Sequence, residues 1–316
     1  MIQALEQTFT QALSLRTAAA GRRSSKAEVW ETETPNGSCL AVESVHPMPD
    51  VFLAEEALRE RLMQELSLVR GIGPEREKMC RRRGIQTLDD LRRTNWKAEA
   101  NEIKEIIRNG SPKEIIRLFT NKGRGADPLL TGFGAVVPRG DLLFFDIETL
   151  GMVHSPIILF GCGVCDGENL RVTQYLLRNI GEELPALEAV ADTMRNHPVL
   201  VTYNGRSFDL PFTNNRLAYY GERECRPNLH FDLLHPSRRL FRADLPDCCL
   251  GTVEEYVLGC GREDDLPGYL VPVYYQRYLR TGNPEPLKEI VDHNRSDVTS
   301  LALLLAKQTE MMYGNC

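Results

Sequence analysis

The order of apolar and polar positions divides the chain near residue 140. Residues 1–38 read as a weak helix followed by a polar stretch, "AAAGRRSSKAEVWETETPNGS", expected to be peripheral. "CLAVESVH" at 39–46 alternates as a strand does, and 53–68 places Leu58, Leu62 and Leu66 at helical spacing. A glycine-punctuated basic stretch, 69–93, leads to a short helix over 98–108 and another after Ser111. Residues 121–140 are rich in Gly and Pro and read as a linker. From 141 the pattern changes. "DLLFFDIETL", "PIILFGCGV" and "LRVTQYLL" are three successive strands, 182–196 is helical, and "VLVTYNG" is a fourth strand. A helix is expected to start near Ser207, "NLHFDLL" is a fifth strand, and the remainder to 309 is mostly helical. Adjacent strands followed by alternating helix and strand predict an α/β fold: a mixed sheet flanked by helices, with a smaller helical amino-terminal domain. The expected divisions are an extension over 1–52, a helical domain over 53–120, the linker at 121–140 and the α/β domain over 141–316.

The length of 316 residues suits two such units. Formal net charge is −6, which taken whole does not suit a nucleic-acid binder. The halves differ, however. Residues 1–139 carry 22 Lys+Arg against 19 Asp+Glu, whereas residues 140–316 carry 16 against 25. Acidic side chains that hold cations invert their local electrostatics, so the acidic half remains compatible with a polyanionic substrate. The mildly basic half can supply phosphate contacts. No run reaches the roughly 18–20 apolar residues that span a bilayer, and Met1 to Ala20 has no continuous apolar core. With nine scattered cysteines, the reading is a cytoplasmic protein with reduced thiols and no membrane partner.

The candidate chemistry lies in acids. Asp146 and Glu148 are two apart at the end of an apolar strand, so their carboxylates share a face and repel unless a cation lies between them. Asp209 falls in the first turn of a helix, where the helix dipole favours its charged form. Asp297 stands beside the stripe Ile290, Val298, Leu301 and Leu305, with His293 one helical turn earlier on the same face. Asp232 ends a strand near the same edge. Taken singly, each has an ordinary structural reading: a strand running into a loop, a favourable first-turn acid, an exposed helix residue.

Together the motifs "FFDIETLG", "YNGRSFDLPF" and "HNRSDVTSL" resemble the DEDD exonuclease branch of the ribonuclease H-like superfamily. The second motif also matches that branch's Asn-x-x-x-Phe-Asp pattern through Asn204 and Phe208. "DLLH" with "RRL" at 232–240, "LGT" with Glu254, and the "LPG" to "YLRTG" segment at 266–282 are similar to the YprB type of ribonuclease H-like protein. The resemblance covers 141–308. It implies a 3′–5′ exonuclease acting on single-stranded RNA or DNA with two Mg²⁺ or Mn²⁺ ions held by Asp146, Glu148, Asp209 and Asp297. It also implies that His293 is the general base, and that Asn204 and Phe208 contact substrate. One departure stands out: His293 is four residues before the last acid, a spacing the branch usually gives to Tyr. Two Mg²⁺- or Mn²⁺-type ions suit hard carboxylate oxygens, and phosphodiester hydrolysis needs an activated water and a stabilised leaving oxygen.

"VRGIGPEREKMCRRRGIQTLDDL" resembles a helix-hairpin-helix element. Gly71 and Gly73 permit close backbone approach, Pro74 suits a first helical position, and the helix start offers amides to phosphate. Residues 69–93 hold eight basic and four acidic side chains. A protein-contact module with the same turn is the alternative there. For the whole chain the alternatives are a silent binding or scaffold module and a structure-selective endonuclease of the same superfamily. Cys162 and Cys165 fall in a strand on opposite faces and have no second pair at zinc spacing, and "GRGADPLLTGFGA" lacks the Lys of a phosphate loop.

Overall fold

A computed structural model describes residues 27–49, 53–262 and 265–314. The weak helix expected over the first residues therefore lies outside the described residues. In chain order the main elements are β1 (Glu28–Thr34), β2 (Gly37–Pro47), α1 (Glu55–Leu62), α2 (Pro74–Arg82), α3 (Lys97–Asn109) and α4 (Pro112–Asn121). There follow β3 (Leu142–Thr149), β4 (Ile157–Asp166), β5 (Asn169–Leu176), α5 (Glu183–Asn196), β6 (Val199–Thr202), α6 (Asp209–Tyr219) and β7 (Leu229–Asp232). The chain ends in α7 (Val271–Thr281) and the long α8 (Glu285–Tyr313).

All seven strands form one sheet in the order β1-β2-β5-β4-β3-β6-β7. The β1, β2, β5, β4 and β3 neighbours are antiparallel, and β3-β6 and β6-β7 are parallel. The mixed sheet flanked by helices is the α/β architecture that the strand pattern predicts. The amino-terminal segment departs from expectation. Residues 28–47, read as part of a separate extension, form a hairpin that pairs β2 with β5 and widens the sheet. The polar look of β1 has a plain cause: it is an edge strand, most of whose side chains stay at least partly in solvent.

The sheet's two faces take different helices. Phe160 and Tyr175 are register partners, and the Tyr175 hydroxyl meets Thr193 of α5 at 3.3 Å. On the opposite face Gly161 pairs with Gln174, and the Gln174 amide donates to α8 at the Val291 carbonyl, 2.9 Å away. The described residues form two compact units: 27–49, 138–234, 241–262 and 265–305 make up this sheet unit, and 53–137, 235–240 and 306–314 make up a second, helical unit.

The helical unit buries Leu58, Leu62, Leu66, Leu88, Leu91, Ile103, Ile107, Ile115 and Phe119. Ser111 and Glu114 form a reciprocal capping box at the start of α4, with Pro112 in the first turn. The stretch expected as a linker is not bare coil: Leu129, Leu130 and Phe133 are buried in short helical turns within this unit. Gly71 has φ +86°, a conformation costly for side-chain-bearing residues, and Gly73 caps α2.

One buried ion pair ties the sheet unit's layers. Glu183, fully buried at the start of α5, accepts from the Ile157 amide at 2.9 Å, Arg216 Nε at 2.7 Å and the Tyr220 hydroxyl at 2.9 Å. Arg216 in turn stacks 4.5 Å from the Tyr219 ring centroid. Removing one partner of such a pair leaves an uncompensated buried charge. Glu183→Ala is expected to cost the sheet unit about 3–5 kcal/mol in a chemical denaturation series. A cost below about 1 kcal/mol would show that water replaces the carboxylate there.

Candidate functional site

The centre of the site is β3. Its alternation sends Leu143, Phe145 and Ile147 into one buried face, and sends Asp146 and Glu148 to the face covered by α8. Asp146 is paired in register with Gly161 of β4. The glycine is demanded by packing. A Cβ at Gly161 would lie 2.3 Å from the Asn294 side-chain oxygen and 2.7 Å from Val298. With no side chain there, α8 comes down onto the sheet. Asn294, fully buried, then donates to Asp146 Oδ2 at 2.8 Å while its own oxygen accepts from Gln174 at 2.8 Å. Gln174 thus fixes which way the Asn294 amide faces.

Asp209 arrives from the other edge of β3. The pairing of β3 with β6 runs only from Leu142–Val199 to Phe144–Val201. Beyond it the Ile147 amide has no strand partner, and Asp209 Oδ1 accepts from it at 3.2 Å. The loop that delivers Asp209 is held by Asp232, whose oxygens accept from the Asn204 amide at 2.8 Å, Arg206 at 3.1 Å and Leu234 at 3.2 Å. Asp232 therefore serves as the anchor of a turn in which Asn204 takes φ +67°. Asn204 is exposed at that turn, and Phe208 is half-buried with its ring 5.3 Å from that of Phe212.

Asp297 and His293 come from α8, one turn apart as the sequence spacing predicts. His293 Nε2 lies 3.7 Å from Glu148 Oε1 and 3.8 Å from Asp297 Oδ2. Its Nδ1 is bonded at 2.9 Å to Asp265 Oδ1. The turn Gly268–Leu270 lies against the ring, a Cβ at Gly268 falling 3.9 Å from Nε2. Arg262 bonds both Asp297 Oδ1 and the buried Glu254, and its other terminal nitrogen reaches Asp265 at 3.1 Å. Asp146, Glu148, Asp209, Asp297 and His293 are thus brought together. Gly71 and Gly73 belong to the helical unit.

The electrostatics follow from burial and like charge. Burial, then the charges of Asp297, Asp209 and Glu148, push Asp146 well above the usual carboxyl range, against the Asn294 bond. Burial raises Glu148 to about 8, with His293 opposing and Asp297 and Asp209 adding. Burial likewise raises Asp209 to about 7, against two backbone amides. For His293 burial acts downward, yet the Asp265 bond and the charges of Asp297 and Glu148 overcome it and raise the imidazole to about 9.

Such a group fits divalent cations: hard oxygen donors, largely dry, each raising its neighbours' pKa. Among the described residues no three His, Cys, Asp or Glu side chains converge into a ready-made ligand set, and Asp297 has Arg262 as its partner. Residues that sequence reasoning missed are Asn294, Gln174, Asp265, Glu254 and Arg262. Asn294 had a signal, being next to His293 on a helix expected to face the acids. Glu254 lies in the "LGT" motif but was given no role there, and Gln174, Asp265 and Arg262 are brought in by tertiary structure from positions with no motif spacing.

The fold agrees with comparison to known proteins. The chain matches the family model described as "RNase_H superfamily" over residues 143–309. It is 34% identical over 199 residues to "Uncharacterized protein YprB" of Bacillus subtilis (strain 168), covering 61% of this chain and 46% of that protein. The chain thus spans about half the length of that relative. RNase H-like nuclease domains generally use divalent metal ions, and no described helix is long and apolar enough to cross a membrane. The match over residues 143–309, more than half of the chain, places it in the RNase H superfamily.

Proposed function

We propose that the chain is a metal-dependent 3′–5′ exonuclease that hydrolyses phosphodiester bonds of single-stranded RNA or DNA. The observation that carries the reading is one cluster: Asp146, Glu148 and Asp209, raised by burial and by neighbouring acids that include Asp297, beside an imidazole whose far nitrogen is held by Asp265. Asp146, Glu148, Asp209 and Asp297 would hold two Mg²⁺ or Mn²⁺ ions, which supply an activated water and charge stabilisation for the leaving oxygen. His293 takes the proton from the attacking water at Nε2, the nitrogen left open by the Asp265 bond. Asn294 orients Asp146, and the Asp232-pinned turn presents Asn204 and Phe208 to the substrate. Glycines 71 and 73, at the amino end of α2, are a second binding element, holding backbone phosphate without regard to sequence.

End-labelled linear and circular RNA and DNA incubated with Mn²⁺ test the reading. Linear single strands are expected to shorten from the 3′ end while circles survive; cleavage of circles would make the enzyme an endonuclease. Asp146→Ala and Asp297→Ala are expected to abolish the reaction while the protein remains folded. His293→Ala is expected to lose on the order of 10²–10⁴ in rate. Near wild-type turnover by either aspartate variant would overturn the site.

The raised carboxyls have a consequence for stability. Their folded pKa values exceed those of the unfolded chain, so the folded state keeps protons that the unfolded chain releases. Their contribution is fully present below about pH 4 and is lost as pH rises through about 7 to 8. His293, raised to about 9, acts in the same direction. The melting temperature in EDTA is therefore expected to fall from pH 5.5 to 8.5, and Mn²⁺ is expected to remove the fall. A flat profile in EDTA would mean that the acids do not repel one another.

Phosphate binding by the helical unit predicts salt dependence. Each phosphate neutralised on a single strand adds roughly 0.7 to the steepness of the salt slope, so Arg82→Gln with Arg83→Gln is expected to lower it by about 1 to 2. Filter binding between 50 and 200 mM salt would read this; an unchanged slope would assign that surface to a protein partner.

A further inference from the structure

The position of Arg262 is unusual for a cation at a metal-binding group. Its side chain is 15% exposed and lies among acids. It bonds Asp297 Oδ1 and a Glu254 oxygen through one terminal nitrogen, and Asp265 through the other. Asp297 Oδ2, meanwhile, is 3.8 Å from His293 Nε2. Both oxygens of Asp297 thus have cationic or proton-bearing neighbours.

We infer that Arg262 is a built-in counter-cation that competes with a divalent ion for Asp297, and that metal binding shifts its guanidinium from Asp297 onto Glu254. The inference rests on the metal reading proposed above. An oxygen that accepts a guanidinium hydrogen bond at close range has no room for an ion on the same side, and the two cations repel. Arg262 nonetheless stays in the site. Glu254 is 1% exposed and needs a positive partner in every state of the protein. Its Oε2 is buried without a well-formed hydrogen bond, so it can take up the N–H that Asp297 gives back. Asp265 holds the other terminal nitrogen meanwhile. Before metal binds, the guanidinium offsets the repulsion among the acids. Afterwards Asp297 is free to ligate. An arginine suits this role because it stays charged in a dry setting where a lysine would tend to lose its proton.

The test compares Arg262→Gln with wild type by calorimetric Mn²⁺ titration and by melting in EDTA. Removing the competitor is expected to tighten the weaker Mn²⁺ site on the order of 10-fold, a typical coupling between two competing interactions, and to lower the melting temperature in EDTA. A second measurement uses the wild-type protein alone. The Arg262 Nε–H resonance, assigned by its loss in Arg262→Lys, is expected to move during Mg²⁺ titration with the midpoint of metal binding. A folded Arg262→Gln protein that binds Mn²⁺ no tighter, or an Arg262 resonance that ignores Mg²⁺, would overturn the inference. Should Arg262→Gln fail to fold, the resonance decides. Wild-type protein that binds no Mn²⁺ would remove the metal reading itself, and this inference with it.

Discussion

Holding several carboxylates in one partly dry place is the constraint around which the sheet unit is arranged. Asp146 and Glu148 share a face of a central strand, so the fold must keep their charges close and then neutralise them. Burial and mutual repulsion both favour the neutral acids, as their raised pKa values show. The neighbouring structure is built to accept that cost. Gly161 opens the space that lets α8 reach the sheet, and Asn294, oriented by Gln174, gives Asp146 a neutral donor. A charged donor at Asn294 would occupy Asp146 permanently; an amide steadies it and leaves its charge available to a cation.

The early end of β6 does comparable work on the other edge. A strand that stopped later would satisfy the Ile147 amide with backbone and leave Asp209 no place beside β3. Because β6 stops at Thr202, that amide takes a carboxylate instead. The turn that follows must reverse tightly, and Asn204 adopts a left-handed conformation that Asn tolerates better than most residues. Asp232 satisfies two amides of that turn, those of Asn204 and Arg206, and the Leu234 amide just after β7. Its role is therefore to position the loop carrying Asp209, rather than to present a carboxylate of its own.

How much of this was legible in the sequence depends on how local each cause is. Strand alternation is local, so the shared face of Asp146 and Glu148 could be read directly. Helical spacing is local too, and it set His293 and Asp297 one turn apart. The joining of the three acidic stations needed the family resemblance, since nothing in their spacing brings residues 146, 209 and 297 together. β1 escaped notice because an edge strand with much of its side-chain surface in solvent has little apolar periodicity. The stretch 121–140 misled for the opposite reason. Its Gly and Pro residues signalled coil, while Leu129, Leu130 and Phe133 were packing into the helical unit's core. The roles of Arg262, Asp265 and Glu254, the last named only as part of a motif, were illegible because their meaning lies in a three-dimensional charge balance.

That balance also bears on the spacing of His293 to Asp297, where the family's DEDD branch usually has Tyr. A tyrosine at this distance can orient water while staying neutral, whereas an imidazole among acids is drawn toward its charged form, which cannot accept a proton. Asp265 makes the difficulty sharper, since its bond to Nδ1 favours the imidazolium. Yet the same bond fixes the tautomer, so that a neutral His293 presents a lone pair at Nε2, the nitrogen facing Glu148 and Asp297. Asp265 raises His293 most and would keep its charge, but Asp297 and Glu148, which add to it, are carboxylates whose charge divalent ions would neutralise. Filling the site would therefore lower the imidazole pKa from its raised value as the proposed ions bring in the water to be activated. In the proposed reading His293 would act as a base only when the acids around it are occupied, which would link proton transfer to metal loading.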